Sequence, residues 1–467
     1  MRKRLLAALC CIMMLLPFAA AAETELVPQL SAWQLEESAS PIRVTASAQM
    51  SAWVPFDDTM LEALNTLLSH MSVQVDTMNL SGETWSKTAL LLDSEESVSL
   101  TQRQVENQRL LNASFLPEQT LTSAVDPMAL LLGDGAALNV PGYTGEEQAW
   151  VAEAKRLMQE LPTLLADWKK EESVSKKIAK SGTAKTLYTF KLGKDDAAQL
   201  GTILAGAAQN STVKAFLSSL TFSKAQAIKL YTDAEGQVLR FAYEGQCGVT
   251  TQRKVTISWN MKDDGESARD SLTVKSPAVS GSDKDSLTWL RELDTSKSKR
   301  TLTASFTYTA VHSKVKTTLE GEADLTYKQS GGVLTGEAWI KQTDRDGDSE
   351  TWIARPELTF ADAQEAPAVQ GGVQLTHKQN KRVTEDMTLT LSMAAGESFR
   401  WEMRGTETKL DELSAESLTA LQEDGAKRMA AQVLRAMLTL PQEDLAFIQK
   451  GLSQEAWQRI LNALGGV

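Results

Sequence analysis

The side chains best suited to chemistry are few and scattered. Histidine occurs at His70, His312 and His377. An imidazole can serve as a general base or a metal ligand. None of the three sits in an H-E-x-x-H or other paired-ligand spacing. His312 and His377 fall in or beside alternating segments and read as sheet residues. Asp344, Asp346, Asp348 and Glu350 form the run D-R-D-G-D-S-E. Carboxylates this close around a glycine can give a hard cation several oxygens on a sharply turning loop, which makes these four a calcium candidate. The match to an EF-hand loop is partial. Trp339 and Trp352 flank the run as hairpin arms, so an acidic hairpin turn is the preferred reading. Cys247 is followed by glycine and has no basic cluster until Arg253, so it reads as a small strand or turn residue, not a thiolate nucleophile. The chain contains no G-x-S-x-G elbow, no phosphate-binding P-loop and no dinucleotide fingerprint. No enzyme activity and no cofactor are expected.

The remaining candidate is a surface. Phe306, Tyr308, Leu319, Leu325, Tyr327, Met387, Leu389, Leu391 and Trp401 fall on the apolar phase of alternating segments and could line a groove for acyl chains. Methionine suits such a surface because it conforms to irregular shapes. The competing reading is that the protein's own helices fill that face.

The elements that must position these residues are legible from periodicity. Leu302, Ala304, Phe306, Tyr308 and Ala310 alternate with Thr301, Thr303, Ser305, Thr307 and Thr309. The same rhythm runs through 315–328, 386–393 and 255–261. It predicts long strands with one apolar and one polar face. Asp264-Gly265, Ser330-Gly331-Gly332, Asp346-Gly347 and Gly371-Gly372 supply turns, so the strands form antiparallel meanders. Helices are predicted after Asp57-Asp58, around Trp150–Leu161, after Asp195-Asp196, and through Leu418–Leu464. The fold class is therefore α+β. It is a long curved antiparallel sheet, half-barrel-like, with amphipathic helices packed on its apolar face and a C-terminal helical segment.

The chain has 467 residues and a formal net charge of −12. That size supports two or three domains, and the acidic balance excludes a general nucleic-acid binder. Arg2, Lys3 and Arg4, the apolar run Leu5–Phe18 and Ala20-Ala21-Ala22 have the layout of a secretory signal peptide, with cleavage after Ala22. Leu9 precedes Cys10 where a lipid-modified cysteine would need a small residue. No later apolar run is long enough for a helical span, so no transmembrane span is expected once the leader is removed. The predicted organisation is a signal peptide (1–22), a strand–helix–meander module (23–170), a charged linker (171–183), a large antiparallel module (184–408) and C-terminal helices (409–467). Both modules begin with a strand, an acidic helix start, an amphipathic helix and a meander, an order that a duplication would produce.

Over most of residues 42–404, this order of strands and helices resembles the LolA/LppX-type lipoprotein-carrier families. The chain also looks like exported proteins of Gram-positive anaerobes. The carrier resemblance implies a strongly curved half-barrel with helices over its concave face. It further implies transport of hydrophobic molecules, often lipids, through an extracytoplasmic space. The sequence departs from those families by lacking a lipobox and by adding a long helical C-terminus. The function expected is an exported, non-catalytic envelope protein that binds or carries a lipid or other apolar small molecule. The alternatives are a structural or interaction protein with a filled core that meets another envelope protein, and an extracytoplasmic hydrolase.

Overall fold

The computed structural model describes residues 26–27, 41–54, 56–80, 83–105, 108–123, 146–249, 251–263, 267–361, 368–397 and 405–454. The predicted leader and the last predicted helix, around Trp457, lie outside them. Strand β1 (Ile42–Trp53) leads into helix α1 (Asp58–Ser69). The meander β2 (Met71–Leu80), β3 (Glu83–Leu92), β4 (Glu95–Val105), β5 (Gln108–Ala113) and β6 (Gln119–Ser123) follows. Next come α2 (Glu146–Leu164), β7 (Lys169–Ile178), β8 (Gly182–Leu192), α3 (Lys194–Ala207), α4 (Ser211–Ser219) and the short β9 (Thr221–Phe222). The long meander comprises β10 (Gln226–Thr232), β11 (Val238–Gly248), β12 (Arg253–Asp263), β13 (Ser267–Pro277), β14 (Lys284–Thr295) and β15 (Lys299–His312). It continues through β16 (Val315–Lys328), β17 (Val333–Thr343), β18 (Ser349–Ala361), β19 (Ala368–Gln379) and β20 (Arg382–Ala395). Strand β21 (Thr406–Lys409), α5 (Ala415–Met437) and α6 (Gln442–Gly451) end the described chain.

All 21 strands belong to one sheet. From one edge it runs β7, β8, β10 and then each consecutive strand to β20. It continues through β1 to β6 and ends at β21. Only the β6–β21 pairing is parallel. Among the described residues β7 and β21 are the two edges and do not pair with each other. The strands reach 14 residues in β15, β16 and β20, as the long alternating runs predict.

Residues 171–183, expected as a charged linker, are paired strand instead, with Lys169–Ile178 running against Gly182–Leu192. The composition that reads as linker is that of an exposed edge. Nothing covers most of β7, and Lys and Glu on an edge discourage pairing with another chain. The two predicted modules therefore share one unbroken sheet, joined where β20 pairs with β1.

Helix starts follow local chemistry. The Asp57 carboxylate accepts the Met60 N–H at 2.8 Å and caps α1. Ser414 caps α5 through the Ser417 N–H. At α3 the N-cap is Gly193, and Asp195 and Asp196 lie inside the first turn, where negative charge complements the helix dipole. Helix α2 runs on past Pro162 to Leu164.

The helices pack on the apolar face at the two ends of the sheet. Leu64 and Leu67 of α1, Met429, Val433 and Met437 of α5 and Ile448 of α6 bury against Leu111 and Leu121. At the other end Met158 and Leu161 of α2 and Leu200 of α3 bury against Phe190, Leu230 and Trp259. Polar ties fasten each lobe. Glu153 of α2 is only 7% exposed. It accepts from Arg156 and from the Gln209 and Asn210 N–H groups, so its carboxyl is lowered to about 2. In the first lobe His70 sits between Asp93 (2.6 Å) and Asp444 (3.2 Å), linking the end of α1 to the β3–β4 turn and to the start of α6. The hydrogen bond from Asp93 is the main cause of its raised pKa, with Asp444 adding to it against partial burial.

Between the lobes a third cluster contains Leu302, Leu325, Tyr327, Leu334 and Phe360 together with Leu26 and Val27. Leu325 is completely buried. Leu325→Ala should cost about 2–5 kcal/mol, the usual range for truncating a buried leucine, read as a lower denaturant midpoint. The raised pKa of His70 makes its contribution complete below its ordinary value of about 6.5. That contribution should fade as the pH climbs through the raised value. Because Asp93 is half exposed, it should amount to about 1 kcal/mol or less. Stability curves at pH 5 to 9 for the native chain and His70→Gln should converge at the alkaline end.

Candidate functional site

The central apolar face is set by register. Leu293, Leu302 and Leu325 lie opposite one another across β14, β15 and β16. Toward the other end of the same strands, Trp289 is opposite Phe306, and Leu287 is opposite Tyr308, which is opposite Leu319. Between these layers Ala304, Ala323, Ala338 and Ala354 are paired in one row across β15 to β18. Ala304, Ala323 and Ala354 of this row are buried, and Arg291 stands beside Ala304 at its β14 end.

The two ends are covered differently. Leu302, Leu325, Tyr327 and Leu334 are all 3% exposed or less. At the other end Tyr308 is 39% exposed, Leu319 36% and Val315 40%. Gly321 lies beneath Phe306. A Cβ there would come within 2.5 Å of the Phe306 ring and 2.8 Å of the Trp339 carbonyl oxygen. Only glycine leaves room for the Phe306 ring over the strand.

Charged groups border the open end. Asp285 shares the phase of Leu287 and is ion-paired to Arg253. His312 Nε2 is 3.1 Å from the same carboxylate. Asp283 accepts the Ser313 N–H at 2.9 Å, the leading reason its pKa is lowered, and His312 adds to the effect. Tyr308 is held above the usual phenol range by burial and then by Asp285. On the side facing α2, Asp270 is 1% exposed, with Lys155 Nζ at 2.9 Å and Trp259 Nε1 donating at 3.1 Å. Trp259 meets Trp289 edge-on at 6.5 Å. On the β18–β19 side Trp352 stacks on His377 at 5.2 Å.

The structure divides the residues nominated from sequence. Phe306, Tyr308 and Leu319 form the open end. Leu325 and Tyr327 are filled core. Met387, Leu389 and Leu391 are half-buried against the same cluster. Trp401 lies outside the described residues. Leu287 and Trp289 join the open end; the alternation from Asp285 to Leu293 carries the signal for them. Leu26 and Val27, in a short segment with no periodicity, had no such signal.

The acidic hairpin is organised by its own backbone. Asp344 Oδ1 accepts the N–H groups of Asp346 and Asp348 at 2.9 and 3.0 Å. Asp348 accepts from Asn380, and Glu350 accepts from Gln379. Among the described residues no group of three or more His, Cys, Asp or Glu side chains could hold a metal ion, so the four carboxylates do not converge as a calcium site needs. The described residues assemble no catalytic constellation.

No protein-family model matches the sequence, and no curated protein matches it. Solved structures do align with it. OpdL of Pseudomonas aeruginosa is 8% identical, with 77% of this chain and 98% of that chain covered and a TM-score of 0.29. A BenF-like porin from Pseudomonas fluorescens is 6% identical, with 77% and 99% covered and a TM-score of 0.28. Outer-membrane expressed OmpT of Vibrio cholerae is 5% identical, with 77% and 99% covered and a TM-score of 0.25. No binding or transport property passes from them to this chain at that level of likeness.

These structures correct two expectations. They are outer-membrane and porin proteins, not LolA/LppX-type lipoprotein carriers, so that resemblance is withdrawn. The expectation of no transmembrane span is withdrawn with it. Among the described residues no helix is long and apolar enough to cross a membrane. Strands cross by a different rule, in closed barrels, and helix hydropathy does not bear on them.

Cys247 is buried among Tyr243 and its neighbours, and burial pushes its thiol pKa up. It should resist Ellman's reagent in the folded protein prepared without residues 1–22 and react only on denaturation; prompt reaction would contradict this placement.

Proposed function

We propose that the protein is a non-catalytic, extracytoplasmic binding protein for a hydrophobic ligand, and that the ligand lies on the open end of the central sheet face. One observation carries this reading. The face packed under helices at both ends of the sheet, and filled at the Leu302–Tyr327 level, leaves Tyr308, Leu319 and Val315 between 36% and 40% exposed. Exposed apolar side chains in one contiguous patch mark an interaction surface. Phe306, Leu287 and Trp289 extend the patch inward, and the charged group of Arg253, Asp285 and His312 borders it.

The chemistry of the patch favours a slender apolar chain. Its floor is one sheet face, narrowed by the Trp259–Trp289 pair on one side and the Trp352–His377 stack on the other. The deep end of the same face already buries two apolar side chains, Leu26 and Val27. The export signal read at the N-terminus supports a place in the cell envelope, where long-chain amphiphiles are abundant. Burial of Leu325 and Tyr327 favours the filled-core alternative for the deep end alone; it leaves the open end unexplained.

The test is binding of N-phenyl-1-naphthylamine, followed by its fluorescence, with displacement by palmitate. Tyr308→Asp and Leu319→Asp each place an unpaired charge on the patch. Each should weaken binding about tenfold or more, which is ~1.4 kcal/mol, with little change in melting temperature because both side chains are already partly in water. Absence of binding by the native protein, or equal binding by both variants, would rule the site out.

A further inference from the structure

We propose that three adjacent turns at one end of the strands, β11–β12, β13–β14 and β15–β16, dock on the surface of an anionic phospholipid bilayer. This goes beyond the ligand site and is tested apart from it.

Each turn carries one exposed valine. Val249 and Val279 lie in the first two turns, and Val315 directly follows the third. They are 53%, 43% and 40% exposed. Strand pairing brings the turns side by side. Arg253 is opposite Ala278, Pro277 opposite Lys284, Lys284 opposite Val311, and His312 opposite Val315. Neighbouring strands lie about 4.8 Å apart, so successive turns stand roughly 10 Å from one another. Hydrogen bonds hold them in place. Thr221 Oγ1 donates to the Gly248 carbonyl at 2.9 Å. The Ala278 N–H donates to the Asp283 carbonyl at 2.7 Å, and the Asp283 carboxylate accepts the Ser313 N–H at 2.9 Å, which ties the second turn to the third. The three valines are therefore presented together to the outside, as an interaction surface presents its apolar groups.

Lysines accompany them. Lys284 lies opposite Val311, which lies opposite Lys316. Lys254 begins the same row on β12, and Lys314 occupies the third turn. All four are exposed. The carboxylates beside them are already engaged: Asp285 with Arg253 and His312, Asp283 with Ser313, and Glu320 with Lys341. The next turn along, Asp344–Asp348, is acidic and ends the basic stretch. In a chain of net charge −12, a local group of uncompensated lysines turns this part of the molecule toward a negative surface. A bilayer interface takes both components. Apolar side chains enter the headgroup boundary while lysines meet lipid phosphates. A soluble anion would engage the lysines and leave the valines in water. Docking would also bring the open end of the apolar face close to lipid, since Leu319 is four residues, about 13 Å, along β16 from Val315.

Vesicle sedimentation tests this on the protein prepared without residues 1–22, whose apolar run would itself enter lipid. The protein should bind vesicles of phosphatidylcholine mixed with phosphatidylglycerol and bind phosphatidylcholine alone about tenfold more weakly or less. Salt at about 0.5 M, where screening acts within roughly 4 Å, should release it. Val249→Asp/Val279→Asp and Lys254→Glu/Lys284→Glu/Lys316→Glu should each weaken vesicle binding about tenfold or more, with naphthylamine binding in solution unchanged. A polarity-sensitive fluorophore at Val279→Cys should shift to the blue with anionic vesicles; the same label at Ser330→Cys, beyond the other end of β16, should not. The proposal is overturned if no vesicle binds, if neutral vesicles bind equally well, or if both sets of variants bind like the native chain. A dimer in sizing runs that Val249→Asp/Val279→Asp splits, with no vesicle binding, would overturn it in favour of a second copy as the occupant. Failure of the naphthylamine probe alone would remove the ligand site and leave membrane docking standing on the vesicle result.

Discussion

The pairing of β20 with β1 is the constraint on which the arrangement depends. It runs antiparallel from Ile42 opposite Ala395 to Trp53 opposite Glu385, with one bulge between Met50 and Ala52. It places the first strand beside the last strand of a meander that begins more than 180 residues later. Met387, Leu389, Leu391 and Met393 thereby come opposite Met50, Ala48, Ala46 and Val44. A slip of one residue would turn either set to the polar side. Because the phase is kept across this joint, one apolar face continues from the α1–α5–α6 lobe through the centre to the α2–α3 lobe.

Among the described residues the helices cover only part of that face. They are grouped at the two ends, where His70, Glu153 and Asp270 fasten them to the sheet or to each other. These ties are specific rather than merely adhesive. Asp270 is nearly inaccessible, and removing Lys155 would leave a buried carboxylate with one fewer partner. At its deep end the centre receives Leu26 and Val27. The uncovered remainder, around Tyr308 and Leu319, follows from this geometry.

The opposite face of the central strands is polar. Thr301, Thr303, Ser305, Thr307 and Thr309 lie opposite Thr326, Asp324, Glu322, Glu320 and Thr318. Lys341–Glu320 and Arg355–Glu337 pairs extend the polar surface across β17 and β18. Trp339 belongs to this face, opposite Glu322 and Ile353. The β7 edge is guarded by charge in the same way, which is why its sequence carries so little apolar signal.

The amino-acid sequence by itself determined the local rhythm. Side chains two apart in a strand share a face whatever lies beyond, so the long strands, their apolar phase and the helix starts at Asp57 and Ser414 were legible. Phe306, Tyr308 and Leu319 were nominated from that rhythm; Tyr308 and Leu319 are exposed and Phe306 is half-buried. The rhythm could not separate them from Leu325 and Tyr327, which have the same phase. Only the tertiary structure decided which end of the face is filled, because the cluster there brings together residues from distant segments, Leu26 and Val27 with Leu302, Leu325 and Phe360. It alone decided that residues 171–183 pair as strands at an edge, and that the acidic hairpin turns its carboxylates to its own amides and neighbours. Those outcomes depend on which distant segments meet, and periodicity holds no record of that.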